Sequence, residues 1–153
     1  MEIRPHTAAD IPAIARLFFN TIRRVNSRDY TPAQIQAWAP TIYNNEYWTQ
    51  RFLKRRALVA EDGGIILGFA EYEPDGHIDC FYVHHEHQRR GVGMTLMQRI
   101  ESDLQQLNVH RLHAEVSITA RPFFAGRGFA VVEERNAVYQ DVLIKLYLME
   151  KYI

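Results

Sequence analysis

Apolar residues recur along the chain with two different periods. Ile11, Ile14, Phe18, Ile22 and Val25 fall three or four residues apart, and so do Val92, Leu96, Ile100, Leu104 and Leu107. Each run predicts an amphipathic helix. Leu112, Ala114 and Val116 alternate instead with Arg111, His113 and Glu115, which predicts a half-buried strand. Short apolar runs closed by turn residues predict further strands at residues 2–6, 57–60, 65–73, 77–83, 129–135 and 142–149. Asp62-Gly63-Gly64 and Pro74-Asp75-Gly76 read as the turns between them, since glycine enters positive φ at little steric cost. The last two strands are expected to join near residues 136–139.

Polar residues and prolines mark where the helices begin and end. Thr7, with Asp10 three residues on, resembles a capping box that opens the first helix, with Pro12 in its first turn. Thr31 followed by Pro32 opens a second helix, which Ala39-Pro40 ends. A third short helix is expected over residues 46–54, and another over residues 119–127, closed by Gly128. The order is strand, two or three helices, three meandering strands, helix, strand, helix, two strands. It predicts an α+β fold with a mixed, mostly antiparallel central sheet of about seven strands and helices on both faces. Residues 1–153 are expected to form a single domain.

Charge and cysteine content remove some partners from consideration. Lys+Arg and Asp+Glu both number 18, so no global basic field argues for nucleic acid. Cys80 is the one cysteine, so no intrachain disulfide forms, and a reducing, cytoplasmic setting is expected. No apolar run approaches a membrane span or the h-region of a signal peptide, so no membrane association is expected. The composition is compatible with a homodimer.

The chemistry concentrates where the strand at 77–83 passes into the helix that Val92 starts. The connection is His84-His85-Glu86-His87-Gln88-Arg89-Arg90-Gly91-Val92-Gly93. A helix start presents unpaired backbone N–H groups and the positive end of a dipole, which suits an anion such as pyrophosphate. Gly91 and Gly93 let backbone approach a ligand closely. The third glycine of a dinucleotide fingerprint is missing, and so is the Gly-Lys-Ser/Thr of a P-loop. A His84-His85-x-His87 metal site would need three or four converging ligands, and neighbours on a strand diverge, so no metal is expected.

Gln88-x-x-Gly91-x-Gly93 after such a strand resembles the coenzyme A pyrophosphate loop of the GNAT-type N-acetyltransferase superfamily. Ala120, Phe123, Gly128 and Phe129 also match that superfamily's Asn-x-x-Ala-x-x-Phe-Tyr-x-x-x-Gly-Phe pattern. The predicted order of elements is the superfamily's as well. The resemblance implies acetyl-CoA as co-substrate, transfer of acetyl to a primary amine of a small molecule or peptide, and no metal. It implies cofactor contacts at Phe81, Tyr82 and Val83 along the pantetheine. It implies the same at Gln88, Arg89, Arg90, Gly91, Val92, Gly93 and Met94 around the phosphates, and at Ser117, Phe123 and Phe124.

Two positions depart from the pattern. Ser117 replaces the usual Asn, and its hydroxyl still hydrogen-bonds. Phe124 replaces the Tyr that protonates the leaving thiolate, and a phenyl ring has no proton to give. A catalytically silent acyl-CoA-binding module is therefore the alternative reading. If an acid is needed, Tyr139 is the preferred donor, ahead of Tyr82 or water. Strand alternation places His77, Asp79, Phe81 and Val83 on one face. The resemblance puts catalytic bases at positions matching His77 and Asp79, so His77 is the candidate base, with Asp79 orienting it or acting through water. The competing reading makes His77 a solvated strand-start residue. The aromatic segment containing Tyr30 and Trp38 is expected either to wall the acceptor site or simply to pack.

Overall fold

The computed structural model covers residues 1–153 and has twelve regular elements. β1 (Glu2–Pro5) precedes three helices, α1 (Ile11–Arg24), α2 (Pro32–Trp38) and α3 (Asn45–Phe52). The meander β2 (Arg56–Asp62), β3 (Ile65–Tyr72) and β4 (His77–Val83) follows. Then come α4 (Val92–Gln106), β5 (Arg111–Ser117), α5 (Arg121–Gly126), β6 (Ala130–Tyr139) and β7 (Val142–Tyr152).

The sheet order is β1-β2-β3-β4-β5-β7-β6. Every neighbouring pair is antiparallel except β4 and β5. One face packs on α4 and α5 through Leu58, Ile78, Leu96, Ile100, Leu112 and Val116. The other packs on α1, α2 and α3 through Ile14, Phe18, Ile22, Trp48, Val59 and Phe69. Full burial of side chains this large contributes about 1.5–3 kcal/mol each, so the two helical layers hold the sheet from both sides.

The helix starts follow the sequence signals. Asp10 Oδ2 accepts from the Thr7 N–H at 2.7 Å, which completes the capping box around the short 3-10 turn before α1. Arg4 reinforces that corner with two hydrogen bonds to the Asp10 carboxylate at 2.8 and 2.9 Å. Thr31 and Gln34 cap α2 reciprocally, with Pro32 at its first position.

Two expectations about the strands need correction. β6 runs on through residues 136–139, and the hairpin turns at Gln140-Asp141, both with positive φ of 48° and 64°. Neither is glycine, so the local signal at the true turn was weak. The second correction concerns β4. Ala70 pairs with Phe81 but Tyr72 pairs with Ile78, so Asp79 and Cys80 together oppose Glu71 in a β-bulge. The bulge reverses the alternation. Ile78, Phe81 and Val83 lie on the α4 side, whereas Cys80 and Tyr82 lie on the α1 side. His77 and Phe81 therefore do not share a face.

Candidate active site

β4 and β5 are parallel neighbours with only two paired positions, His77 with His113 and Ile78 with Ala114. Beyond them the strands part. The gap opens a cavity of about 750 Å³ between the end of β4, the end of β5 and the starts of α4 and α5. One end meets the loop before α4, and the other reaches α1, α3 and the tip of the β6–β7 hairpin.

The loop end is built from backbone. Gly91 sits at φ 82°, and a Cβ there would meet no atom within 4 Å, so the space above it is open. Arg89 is also left-handed, at φ 61°. The N–H groups of residues 88–94 donate to no intrachain acceptor, and no side chain caps α4. Gln88 Nε2 donates to the Val83 carbonyl at 2.7 Å and Thr21 Oγ1 donates to it at 3.1 Å, fixing the loop on the strand end. Open donors at a helix start fit a pyrophosphate, and the cradle has the room.

Gly93 serves a different purpose from the one expected. A Cβ there would come within 3.0 Å of the Phe123 ring, so it is close packing of the aromatic wall that requires glycine. Val92 is buried and Met94 partly exposed, and both line the cavity. Arg90 is exposed and lies outside the lining, whereas Arg89 is part of it.

The middle of the cavity is narrow and apolar. Phe81 lies 5.4 Å from Phe123 and 5.6 Å from Phe124, ring centre to ring centre. Phe124 is also packed edge-on against Phe129 and is almost completely buried. On the opposite wall, Ser117 Oγ accepts from the Ala120 N–H at 3.0 Å and from Asn26 Nδ2 at 3.4 Å. Its own proton remains free to donate.

Charged groups line up across the far end. Arg51 bonds the fully buried carboxylate of Glu71 and also reaches Asp79 Oδ2 at 3.0 Å. Arg55 reaches that same Asp79 oxygen at 3.2 Å. Asp79 makes no contact of this kind within the chain beyond these two ion pairs, and the residue lines the cavity.

His77 does not stand where a base is needed. Its Nδ1 is 2.7 Å from Glu73, its Nε2 is 2.7 Å from Glu115, and it is not part of the cavity wall. The hydrogen bond to Glu115, followed by that to Glu73, raises its pKa to about 9 despite partial burial. The ring is therefore protonated at neutral pH, with no lone pair to receive a proton. The bulge explains the error, because the parity argument assumed an unbroken strand. His77 is also only partly exposed, so the solvated strand-start alternative does not describe it either.

Aromatic side chains enclose the same end. Trp38 from α2 stacks on Tyr139 from β6 at 6.2 Å, and Tyr43 stacks on Tyr47 at 4.5 Å. Burial, with the nearby Cys80 and Asp79 adding to it, holds the Tyr139 phenol up at about 12, so it is protonated and has a proton to give. Tyr30 is a correction. It is buried outside the cavity, donates to the Lys145 carbonyl at 2.7 Å and accepts from the Ile118 N–H at 2.9 Å. It ties β7 to the turn after β5.

Two sets of metal-type donors converge, Glu71/Asp79/Cys80 and Glu73/His77/Asp79. Arg51 and Arg55 are bound to these same carboxylates, so two fixed guanidinium charges already occupy them. His84 and His85 do not diverge as expected. β4 ends at Val83, and the two rings stack at 4.6 Å.

Two lining residues were not anticipated, Arg51, with Glu71 behind it, and Asn26. Glu71 did carry a signal, a carboxylate inside the apolar run Phe69-Ala70-Glu71-Tyr72. The others come from helices whose register against β4 is a tertiary property.

A parallel pair that splays beside an open helix start defines a protein that seats a long phosphorylated co-substrate between two strands. Residues 26–152 match the family model described as an acetyltransferase (GNAT) domain, and the chain belongs to this family. It is an acetyl-CoA-dependent N-acetyltransferase. The uncharacterized N-acetyltransferase YafP of Escherichia coli is 29% identical over 136 residues, covering 89% of this chain and 85% of its own. The crystal structure of a GCN5-related N-acetyltransferase from Rhodopseudomonas palustris superposes with a TM-score of 0.94 at 27% identity, over 99% of this chain and 95% of that one. The PaiA N-acetyltransferase of Thermoplasma acidophilum, solved in complex with coenzyme A, shares the fold with a TM-score of 0.79 at 19% identity, over 99% and 98% of the two chains. No helix is long and apolar enough to cross a membrane.

Proposed function

We propose that the protein transfers the acetyl group of acetyl-CoA directly to a primary amine of a small molecule, with Asp79 receiving the amine's proton and Tyr139 supplying one to the departing sulfur. The observation that carries this reading is a single cavity that joins the open loop at Gly91 to Asp79 and Tyr139. The backbone of residues 88–94, with Arg89 beside it, holds the phosphates. Phe81, Tyr82 and Val83 flank the pantetheine on one side, with Ser117 and Phe123 on the other. Acetyl-CoA brings the thioester carbonyl, whose bond to sulfur breaks as the new bond to nitrogen forms.

The rest falls to the protein. An amine arrives at neutral pH as ammonium and cannot attack until it loses a proton. The Asp79 carboxylate is the acceptor at that end, direct or through one water, with Arg51 and Arg55 ion-paired to it. Tyr139 stays protonated across neutral pH and replaces the donor that Phe124 lacks. The PaiA structure with coenzyme A and the matching Gln88-x-x-Gly91-x-Gly93 loop support the cofactor part. The experiment is thiol release from acetyl-CoA with amines, alongside a thermal-shift titration with coenzyme A. Stabilisation by coenzyme A with amine-dependent thiol release is expected. A melting temperature indifferent to coenzyme A would overturn the reading.

A further inference from the structure

The acceptor end of the cavity is specific enough to name a substrate class, given the acetyl-transfer reading above. We propose that the acceptor is a primary amine carried on a flat aromatic body, with no carboxylate beside the amine.

The walls argue for a flat apolar body. Phe18, Trp38, Tyr43, Tyr47, Tyr82 and Tyr139 all line the cavity and come from six different elements or loops. They form two stacked pairs, Trp38 with Tyr139 and Tyr43 with Tyr47. Phe18 sits between them and β4, 6.1 Å from Tyr43 and 5.0 Å edge-on to Tyr82. Ring faces at these spacings receive another ring by offset stacking or edge contact. They also suit an ammonium passing toward Asp79.

These walls are fixed before any ligand arrives. Gln34 Nε2 donates to the Leu143 carbonyl at 3.0 Å, and Tyr30 donates to that of Lys145, so α2 is docked on β7. Tyr43 donates to the Trp38 carbonyl at 3.2 Å, tying the loop after α2 to its end. A preformed slot binds a rigid planar ligand without first paying for order.

Charge disfavours the carboxylate. Asp79 and Glu115 line this region; the lining cation there, Arg51, is already shared by Glu71 and Asp79, and Arg55, outside the lining, is paired with Asp79 and Glu73. The lining arginines outside these ion pairs, Arg28, Arg89 and Arg127, belong to the turn before Asp29, the loop and the end of α5. An α-amino acid would thus bring its carboxylate next to Asp79 with no free cation to meet it. A peptide would bury main-chain N–H and C=O groups against ring faces with few partners.

The test compares matched amines with acetyl-CoA. 2-Phenylethylamine and tryptamine are set against phenylalanine, tryptophan, propylamine and a short peptide with a free N-terminus. The aryl amines should exceed propylamine in kcat/KM by about tenfold, the size of one good ring contact. They should exceed the parent amino acids by roughly a hundredfold, reflecting a buried like-charge contact. Trp38→Ala should shrink the aryl-to-propyl ratio. Equal or better turnover of an amino acid or of the peptide overturns the proposal. So does turnover of none of the aryl amines by protein that coenzyme A stabilises, and in both cases the cofactor reading survives. Loss of coenzyme A stabilisation itself would instead sink the acetyl-transfer reading.

Discussion

The two ends of the cavity are made in different ways. The loop end is local, with Val83, Gln88, Arg89, Gly91 and the start of α4 lying within a dozen residues and the recognition groups being backbone N–H. The acceptor end is assembled from α1, α2, α3, β4 and the β6–β7 hairpin, and its recognition groups are side chains. Backbone donors at a helix start can bind the same phosphate whatever the side chains are. Side chains from five segments can be exchanged singly without moving the cofactor. The family's shared chemistry is thus held apart from the part that selects the acceptor.

The sharpest way to break this comparison is to damage the loop alone. Gly91→Glu places a Cβ and a negative charge in the open space over the N–H groups, at a φ that L side chains rarely adopt. Coenzyme A affinity should fall by at least about a hundredfold, since both the approach and the charge oppose an anion. Gly91→Ala separates the causes: strain of about 1–2 kcal/mol should lower the melting temperature, with a smaller loss of binding. Calorimetric titration of both variants reads this. Unchanged affinity in a folded Gly91→Glu protein would remove the loop from the site.

The complementary damage is to the acceptor end. Asp79→Asn keeps the shape but removes the anionic acceptor, and kcat/KM should fall roughly a hundredfold with coenzyme A affinity intact. Tyr139→Phe should lower kcat by a smaller factor. If either change weakens coenzyme A binding as much as turnover, the two ends are not separable.

Legibility follows the same division. The glycine turn into α4, the helix caps at Thr7 and Thr31 and the order of elements along the chain could be read because each rests on neighbours in sequence. The failures rest on features with no local signature. The bulge at Asp79-Cys80 leaves the alternation of residues 77–83 looking regular, yet it moves His77 to the other face from Phe81. Arg51 meets Glu71 and Asp79 only through the tertiary placement of α3, which no neighbour in sequence signals. Tyr30 has the composition of a pocket residue, but two hydrogen bonds take it into the frame.

His77 gives a third, smaller effect, on stability and not on catalysis. Its folded pKa of about 9 lies above the ordinary value of 6.5. The ion pairs with Glu73 and Glu115 therefore stabilise fully below about pH 6.5, and that stability is lost as pH rises through about 9. His77→Gln should melt earlier than wild type at pH 6, by an amount worth about 1 kcal/mol for a partly exposed pair, and the gap should close above pH 9. Its kcat/KM should keep the wild-type pH profile. A profile that lost its rise through neutral pH would restore His77 as the base.

The smallest effect is expected at Phe124, and it tests whether the acid has moved. The ring is buried among Phe81, Phe123 and Phe129 and also borders the cavity. A hydroxyl added at its tip faces one of two outcomes. If it points into the aromatic cluster it is left without a partner, which costs about 1–3 kcal/mol and lowers the melting temperature. If it points into the cavity, stability is kept and a second phenol joins Tyr139 in the lining. In neither case should turnover change by more than about tenfold, because coenzyme A thiolate leaves readily and the phenol of Tyr139 already lines the cavity. The decisive comparison is Phe124→Tyr in the wild-type and Tyr139→Phe backgrounds. Recovery of turnover in the double variant, with little gain in the single one, would show the two phenols to be interchangeable donors. A rise of a hundredfold or more in the single variant would mean that the cavity lacks an acid and that Tyr139 does not serve as one.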